Sequence, residues 1–396
     1  MQRERRKKSK GNLVNQLPWQ EVMTEFSALE IISEDEIESI HHASLDVLER
    51  VGMKILHQDA RKIFKDAGLD VDESSQMVHF DRNLVLSNIS KAPKEFTLRA
   101  RNPKRDLKIG GKRIVFSAIG GPAFCSDLDR GRRRGTFEDL CNYMKIIQSL
   151  NIIHQEGGMA FETIELPSST RHLDFYLAQF QLLDKNCQSS SMGKVRTKDC
   201  IDMHRIAFDC TREELLENPS VMGIINTNSP MQLDIPMSEA TIELARAGQA
   251  VCVTPFTLSG AMAPIKQAGT LVQQNAEILA VVTLTQLVRS SAPIIYGSFS
   301  TNVDMRTGSP AFGTPEYIRS TIAGGQLARF YGFPYRSSNT NASNSVDAQA
   351  IYESGMSLWA TIMSHANLVN HAAGWLEGGL TASFEKLIID AEMLQT

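Results

Sequence analysis

Apolar and small-residue runs recur along the chain from residue 114 onward, and segments with helical spacing lie between them. The runs begin near residues 114, 152, 187, 221, 250, 293, 334 and 367. Successive runs start about 30 to 43 residues apart, which suits a strand–helix repeat. Eight such units predict a closed (β/α)8 TIM barrel with its active site at the carboxyl ends of the strands. An open, doubly wound sheet is the alternative, but no GxGxxG follows the first strand, so a nucleotide-binding fold is not favoured.

The residues before the first run follow a different pattern. Residues 34–67 carry apolar positions at mostly helical spacing, and short strand-like pieces such as MVHFD come after them. We therefore predict an N-terminal α+β extension at residues 34–112 and the barrel domain at residues 113–396. The opening MQRERRKKSKGN is a dense basic run, which predicts a disordered arm and leader over residues 1–33.

Composition excludes several classes of function. The chain has 396 residues, of which 42% are hydrophobic, and its net charge is -4, so no overall basic surface favours nucleic acid or an anionic membrane. The longest apolar stretch, residues 276–288, is shorter than the roughly 18 residues that indicate a membrane span. Six cysteines without a CxxC pair, and no secretory signal, predict a reduced, cytoplasmic protein.

Side chains just past the predicted strands should meet at the mouth of the barrel. They are mostly hydroxyls and amides, and only Lys194 and Arg336 add positive charge, which suits an uncharged or cationic ligand better than a phosphate. A quaternary ammonium would be held by aromatic faces and carboxylates, unless the aromatics only fill the top of the barrel. We predict catalytic roles for Glu156, His371 and Glu377. The predicted substrate-binding residues are Phe256, Tyr296, Asn226, Asn228, Arg336, Asn341 and Trp375.

The sequence offers no obvious protein nucleophile. It contains no GxSxG elbow, no P-loop and no cysteine in a catalytic signature. His41 and His42 form the one close histidine pair, and adjacent residues point to different sides of a helix, so we predict no metal site. A reaction whose nucleophile arrives on another molecule fits these features.

Two stretches, DMRTGSPAFGTPE at 304–316 and GWLEGGLTASFE at 374–385, resemble the trimethylamine:corrinoid methyltransferase family. The similarity extends over nearly the whole chain. It implies a (β/α)8 barrel that transfers a methyl group from a small methylated amine to the Co(I) of a corrinoid. The resemblance also implies that a separate corrinoid protein supplies this cofactor. It leaves open whether the chain forms a homo-oligomer.

The chain departs from the family in two places. Archaeal trimethylamine enzymes of the family contain an in-frame pyrrolysine, whereas this chain has only ordinary residues. The resemblance therefore implies a quaternary amine such as glycine betaine, with Arg336 or Lys194 holding its carboxylate. The chain also stops at DAEMLQT, where relatives continue, so we expect a C-terminal truncation.

Three other functions remain open at this stage. One is a trimethylamine-specific corrinoid methyltransferase. Another is a corrinoid-independent barrel lyase or isomerase, with Glu156, Asp304 or His371 as general base. The last is a non-catalytic amine-binding barrel.

Overall fold

The structure is a computed structural model that describes residues 15–189 and 192–396. The strands are β1 (Val22–Met23), β2 (Met53–Ile55), β3 (Asp70–Asp72), β4 (Met77–His79), β5 (Phe96–Leu98), β6 (Leu107–Ile109), β7 (Arg113–Ala118), β8 (Phe124–Asp127), β9 (Gly131–Arg133), β10 (Gln155–Glu156), β11 (Asn186–Ser189), β12 (Met222–Ile225), β13 (Gln232–Leu233), β14 (Ala250–Val253), β15 (Leu258–Ser259), β16 (Ile294–Gly297), β17 (Thr301–Asn302), β18 (Tyr335–Ser338), β19 (Leu368–Ala373), β20 (Trp375–Leu376) and β21 (Thr381–Ser383). The α-helices are α1 (Glu34–Arg50), α2 (Gln58–Asp66), α3 (Arg82–Ile89), α4 (Phe137–Ser149), α5 (Arg171–Leu182), α6 (Gly193–Ala207), α7 (Arg212–Glu217), α8 (Ile235–Arg246), α9 (Gln267–Val288), α10 (Pro315–Tyr331), α11 (Ala348–Met363) and α12 (Phe384–Gln395).

Eight parallel strands form a closed ring. Their order is β7, β10, β11, β12, β14, β16, β18 and β19, and β19 pairs back onto β7. At least one helix follows each strand in the chain, from α4 after β7 to α12 after β19. The predicted (β/α)8 barrel is therefore confirmed, and the open sheet is excluded because the first and last strands are hydrogen-bonded.

An apolar hairpin closes the amino-terminal end of the barrel. Strands β5 and β6 pair antiparallel, and Leu98, Leu107 and Ile109 are buried in one cluster with residues from the ring. The ring residues of this cluster are Val115, Met222, Ala250, Cys252, Ile295 and Leu368. Burying these groups removes apolar surface from water and leaves the opposite end as the mouth.

The N-terminal extension reaches the mouth through a shared sheet. Strand β13 lies in the loop after β12, and it pairs parallel with β2 of the extension. Helices α1 and α3 pack on α9. Of the predicted arm and leader at residues 1–33, the first 14 lie outside the described residues, and the remainder contains β1, which pairs antiparallel with β7. Within the described ranges, no helix has the length and apolarity needed to cross a bilayer.

Glu156 lies behind the barrel wall and does not face the mouth. Its carboxylate accepts hydrogen bonds from the backbone N–H groups of Gly158 and Met159 and from Gln179 Nε2 on α5. It thereby fixes the loop that follows β10. The side chain is fully buried, and burial raises the pKa of this carboxyl to about 7.

Glu156 should make stability depend on pH. Because the folded pKa lies above the ordinary value of 4.5, this group favours folding at low pH and loses that contribution as pH rises through 7. Between pH 5 and pH 8, the free energy of unfolding of the wild type should fall by about 2 kcal/mol relative to Glu156→Gln. Urea unfolding of both proteins at the two pH values measures this, and a pH-independent difference would contradict it.

Gly297 allows β14 and β16 to approach closely. A Cβ at this position would lie 2.0 Å from Thr254 Oγ1 and 2.7 Å from the Val253 carbonyl oxygen. Gly297→Ala should therefore lower the free energy of unfolding by about 2 kcal/mol or more, as overpacking of a core does. Gly355 on α11 is the matched control, since a Cβ there meets only Met393 Cε at 3.8 Å. Gly355→Ala should be neutral or stabilising, and equal effects of the two changes would refute the argument.

Candidate active site

Arg336 occupies the interior of the barrel. It pairs with Gly297 on β16 and Leu368 on β19, while its neighbour Ser337 turns outward to Thr321 of α10. Only 2% of Arg336 is exposed, yet its Nε and Nη1 atoms have no hydrogen-bond partner among the described residues. Two nitrogens of the guanidinium are thus buried donors without an acceptor among the described residues, and such groups are rare in folded proteins.

Within the described ranges, no ionised acid acts on the charge of Arg336. Burial lowers the pKa of Arg336, and the ionisable groups that act on it are Cys252, Tyr317 and Tyr335. Burial in turn raises the pKa of each of these three groups, so none is anionic at neutral pH. Because a buried, unpaired cation is costly, the position favours binding of an anion.

One aromatic ring lies over the guanidinium, and further rings pack against that ring. The Phe299 ring centroid lies 5.0 Å from Arg336 Cζ, within the range of a cation–π contact. Phe256 and Phe312 each lie 5.3 Å from Phe299 between ring centroids. Phe256 and Phe299 are partly exposed, whereas Phe312 is buried. We call Phe256, Phe299, Phe312 and Trp375 the aromatic wall.

His371 is neutral at physiological pH and lies next to this wall. Burial, with Arg336 adding repulsion, holds the pKa of His371 well below its ordinary value. The ring centroid is 4.7 Å from that of Trp375. A register shift between Val369 and Ala373 interrupts the pairing of β19 with β7, and His371 within it has a left-handed φ of 55°. Such strained backbone is found at functional sites more often than elsewhere.

The structure does not bring Tyr296 to the mouth. Its hydroxyl donates to Asn275 Oδ1 of α9 at 3.1 Å, and its ring lies between Tyr331 and Tyr335. Tyr296 precedes Gly297, whose partner Arg336 faces inward, and successive residues of a strand point to opposite faces. Phe299, which the sequence analysis missed, supplies the inward ring instead.

Trp375 is a buried member of the aromatic wall that packs against Phe299 and Phe312. It is 4% exposed, and its Nε1 donates to the carbonyl of Asn341 at 2.9 Å. Asn341 Nδ2 returns a hydrogen bond to the carbonyl of Trp375 at 2.7 Å. The structure thus brings together Asn341 and Trp375, two of the predicted substrate-binding residues. The side chain of each residue is hydrogen-bonded to the backbone carbonyl of the other.

Glu377 has a partner of opposite charge. Arg132 from β9 donates to its carboxylate at 2.7 Å, and Thr381 Oγ1 adds a second hydrogen bond at 2.9 Å. This ion pair links β9 to the turn after β20. The carboxylate is therefore neutralised by the protein, which removes much of the attraction that the sequence analysis assigned to it.

The loop after β12 carries the two predicted asparagines. Asn228 exchanges hydrogen bonds with Asp234 at the start of α8, and Asn226 is exposed on the rim. Glu277 of α9, which was not predicted, anchors the loop. Its carboxylate accepts from Thr227, from Ser229 at 2.8 Å and from the backbone of Met231 at 2.9 Å.

The cysteines are poor nucleophiles. Burial raises the pKa of Cys125 and Cys200 to about 11, and it also raises the pKa of Cys187 well above its ordinary value. Since the thiolate is the reactive form, these thiols are unreactive at neutral pH. Across the described ranges, no group of three His, Cys, Asp or Glu side chains could hold a metal ion.

The sequence matches the family model for trimethylamine methyltransferase (MTTB) over residues 1–396. A glycine betaine methyltransferase from Desulfitobacterium hafniense (strain Y51) is 38% identical over 364 residues, which cover 92% of this chain and 75% of the relative. A trimethylamine methyltransferase MttB from D. hafniense (strain DSM 10664 / DCB-2) is 31% identical and covers 91% and 73%. A proline betaine:corrinoid methyltransferase from Eubacterium limosum is 28% identical and covers 91% and 76%.

A solved structure shares the fold. The monomethylamine methyltransferase (MtmB) of Methanosarcina barkeri aligns with a TM-score of 0.55 at 12% sequence identity, covering 91% of this chain and 77% of that one. At this identity the likeness concerns the fold alone, whereas the family match spans every residue. The resemblance noted in the sequence is confirmed: the chain belongs to the trimethylamine methyltransferase family.

Proposed function

We propose that this protein transfers a methyl group from a quaternary amine bearing a carboxylate, such as glycine betaine, to a corrinoid carried by a partner protein. The observation that carries the proposal is the buried guanidinium of Arg336, which lacks a counter-charge and lies beneath partly exposed aromatic rings. A cation and an aromatic surface side by side suit a ligand that is itself a zwitterion.

Arg336 would bind the carboxylate. A planar guanidinium presents several N–H donors in a geometry that matches a carboxylate, and the hydrogen bonds are charge-assisted. Nε and Nη1 are two donors that have no partner in the part of the chain that the structure describes. Lys194, the other cation considered for this role, is exposed at the start of α6, so water already solvates its charge.

Phe256 and Phe299 would contact the trimethylammonium group. A quaternary ammonium has no hydrogen-bond donor and is recognised by aromatic faces. In glycine betaine, one methylene joins this group to the carboxylate, so the two binding elements must be adjacent. Arg336 and Phe299 meet this requirement, since 5.0 Å separates Cζ from the ring centroid.

The residues of this chain then need only hold the amine and exclude water. The corrinoid supplies a Co(I) nucleophile. The methyl group would pass to cobalt with the electron pair of Co(I) forming the new bond, while the electron pair of the broken carbon–nitrogen bond would stay on nitrogen, so the product would leave with a neutral tertiary nitrogen. No proton is required, which agrees with a neutral His371 and with buried thiols that do not ionise. Orientation and proximity would supply most of the rate enhancement.

The names of two relatives support a zwitterionic substrate. Glycine betaine and proline betaine, named for the D. hafniense and E. limosum enzymes, both carry a quaternary nitrogen and a carboxylate. Trimethylamine, named for other relatives, has no carboxylate that Arg336 would bind.

Substrate choice tests the proposal directly. The purified protein is mixed with a reduced corrinoid protein and with glycine betaine, trimethylamine or tetramethylammonium, and the cobalt absorption spectrum is followed. Glycine betaine should be demethylated, and the two amines without a carboxylate should react at least about 100-fold more slowly, as expected when a buried charge stays unpaired. Turnover of trimethylamine without turnover of any betaine would overturn the proposal.

Replacing Arg336 tests the carboxylate site without catalysis. Arg336→Met removes an uncompensated buried charge, so the melting temperature of the ligand-free protein should rise. Glycine betaine should raise the melting temperature of the wild type and leave that of Arg336→Met unchanged. Lys194→Met is the control and should behave like the wild type. Equal stabilisation of wild type and Arg336→Met by glycine betaine would exclude Arg336 as the carboxylate ligand.

A further inference from the structure

A cluster of polar side chains is buried near the start of α9. Gln274, Asn275 and Glu277 are each 0% exposed, although the later part of the helix is mainly apolar. Helix starts in a (β/α)8 barrel lie at the end where the mouth opens, because each helix follows the carboxyl end of a strand. These side chains are therefore placed to hold the loops around the mouth.

Gln274 binds both residues that flank Phe299. Its Oε1 atom accepts one hydrogen bond from Ser298 Oγ at 3.1 Å and another from Ser300 Oγ at 2.5 Å. Both serines are 1% exposed, so water cannot replace these contacts without entering the core. The backbone N–H of Ser298 also donates to the carbonyl of Arg336 at 3.0 Å. Phe299 is thus fixed on both sides beside Arg336.

The same oxygen is connected to Phe256. Thr257 Oγ1 and Ser300 Oγ are hydrogen-bonded. Because the hydroxyl hydrogen of Ser300 goes to Gln274, Thr257 must be the donor in this pair. The segment that contains Phe256 is therefore joined through Ser300 to the same amide oxygen that fixes Phe299.

We propose that Gln274 is the positioning residue of the ammonium site: one amide oxygen sets the spacing between Phe256 and Phe299 and holds Phe299 over Arg336. This inference rests on the proposed function for the identity of the ligand. Gln274 does not touch the substrate and acts through the two rings. Hydrogen bonds that cross between elements hold such sites more tightly than loop packing alone.

The chemistry of Gln274 suggests a rescuing substitution. The Oε1 atom makes both hydrogen bonds, and Nε2 has no partner among the described residues. Gln274→Glu keeps an acceptor oxygen at the same place in either protonation state, whereas Gln274→Met keeps the length of the side chain and removes the acceptor. The two variants separate hydrogen bonding from packing.

Asn275 provides a matched control on the same helix. It is equally buried and makes three hydrogen bonds where Gln274 makes two, but its partners are Ser44 of α1, Tyr331 of α10 and Tyr296, which faces away from the mouth. Asn275→Leu should lower the melting temperature by breaking these bonds without moving the aromatic wall.

Calorimetric titration with glycine betaine tests the proposal on the wild type, Gln274→Met, Gln274→Glu and Asn275→Leu. Gln274→Met should bind about tenfold more weakly than the wild type, Gln274→Glu should recover most of the affinity, and Asn275→Leu should bind like the wild type despite a lower melting temperature. Wild-type affinity in Gln274→Met would overturn the proposal. Equal weakening in Gln274→Met and Asn275→Leu would also overturn it, because the effect would then be general destabilisation.

Hydrogen exchange of the ligand-free proteins separates this inference from the proposed function. In Gln274→Met, backbone exchange should increase at residues 254–259 and 298–302 and stay unchanged elsewhere in the barrel. If the wild type binds no glycine betaine, the proposed substrate is wrong, but the exchange data still decide whether Gln274 holds the two segments. Unchanged exchange at both segments would refute the positioning role whatever the substrate is.

Discussion

A positive charge buried without a counter-charge constrains the whole mouth of this barrel. Arg336 is 2% exposed and its Nε and Nη1 atoms have no hydrogen-bond partner among the described residues. Taking an ion out of water is expensive, and a ring face at 5.0 Å offsets only part of the cost. A methionine of similar size would be cheaper at this position. Folding alone therefore does not account for the charge, whereas the carboxylate of the proposed substrate would supply the missing counter-charge.

The loops around Arg336 are held in place by hydrogen bonds to distant parts of the chain. Glu277 holds the loop after β12, Gln274 holds the segment around Phe299, and β13 joins that first loop to the N-terminal extension. Each of these contacts is a hydrogen bond between buried or partly buried groups. Loss of one group would leave its partner without a hydrogen bond. The extension thus supports the mouth as well as the barrel wall, which methyl transfer requires if a small donor is to be held in line with its acceptor.

The sequence predicts the barrel well and the orientation of its side chains poorly, for one physical reason. Parallel strands in a barrel are buried on both faces, so they read as continuous apolar runs and their number is visible, but no polar alternation marks which residues point inward. Tyr296 and Glu156 were placed at the mouth on this account, and both face the helices. Arg336 was found because charge stands out in such a run. The pairing of Glu377 with Arg132, 245 residues away, has no local signal at all.

The buried and paired acids of the barrel determine which kind of amine can react. A tertiary amine leaves poorly unless a proton or another group activates it, whereas a quaternary amine leaves neutral. In the part of the chain that the structure describes, Glu156 accepts bonds from its own loop, Glu277 binds the loop after β12, and Glu377 is paired with Arg132. His371 is neutral because desolvation and the charge of Arg336 both lower its pKa. Each of these groups is already engaged or uncharged, so a donor that carries a permanent positive charge and needs no proton is the one that this mouth can use.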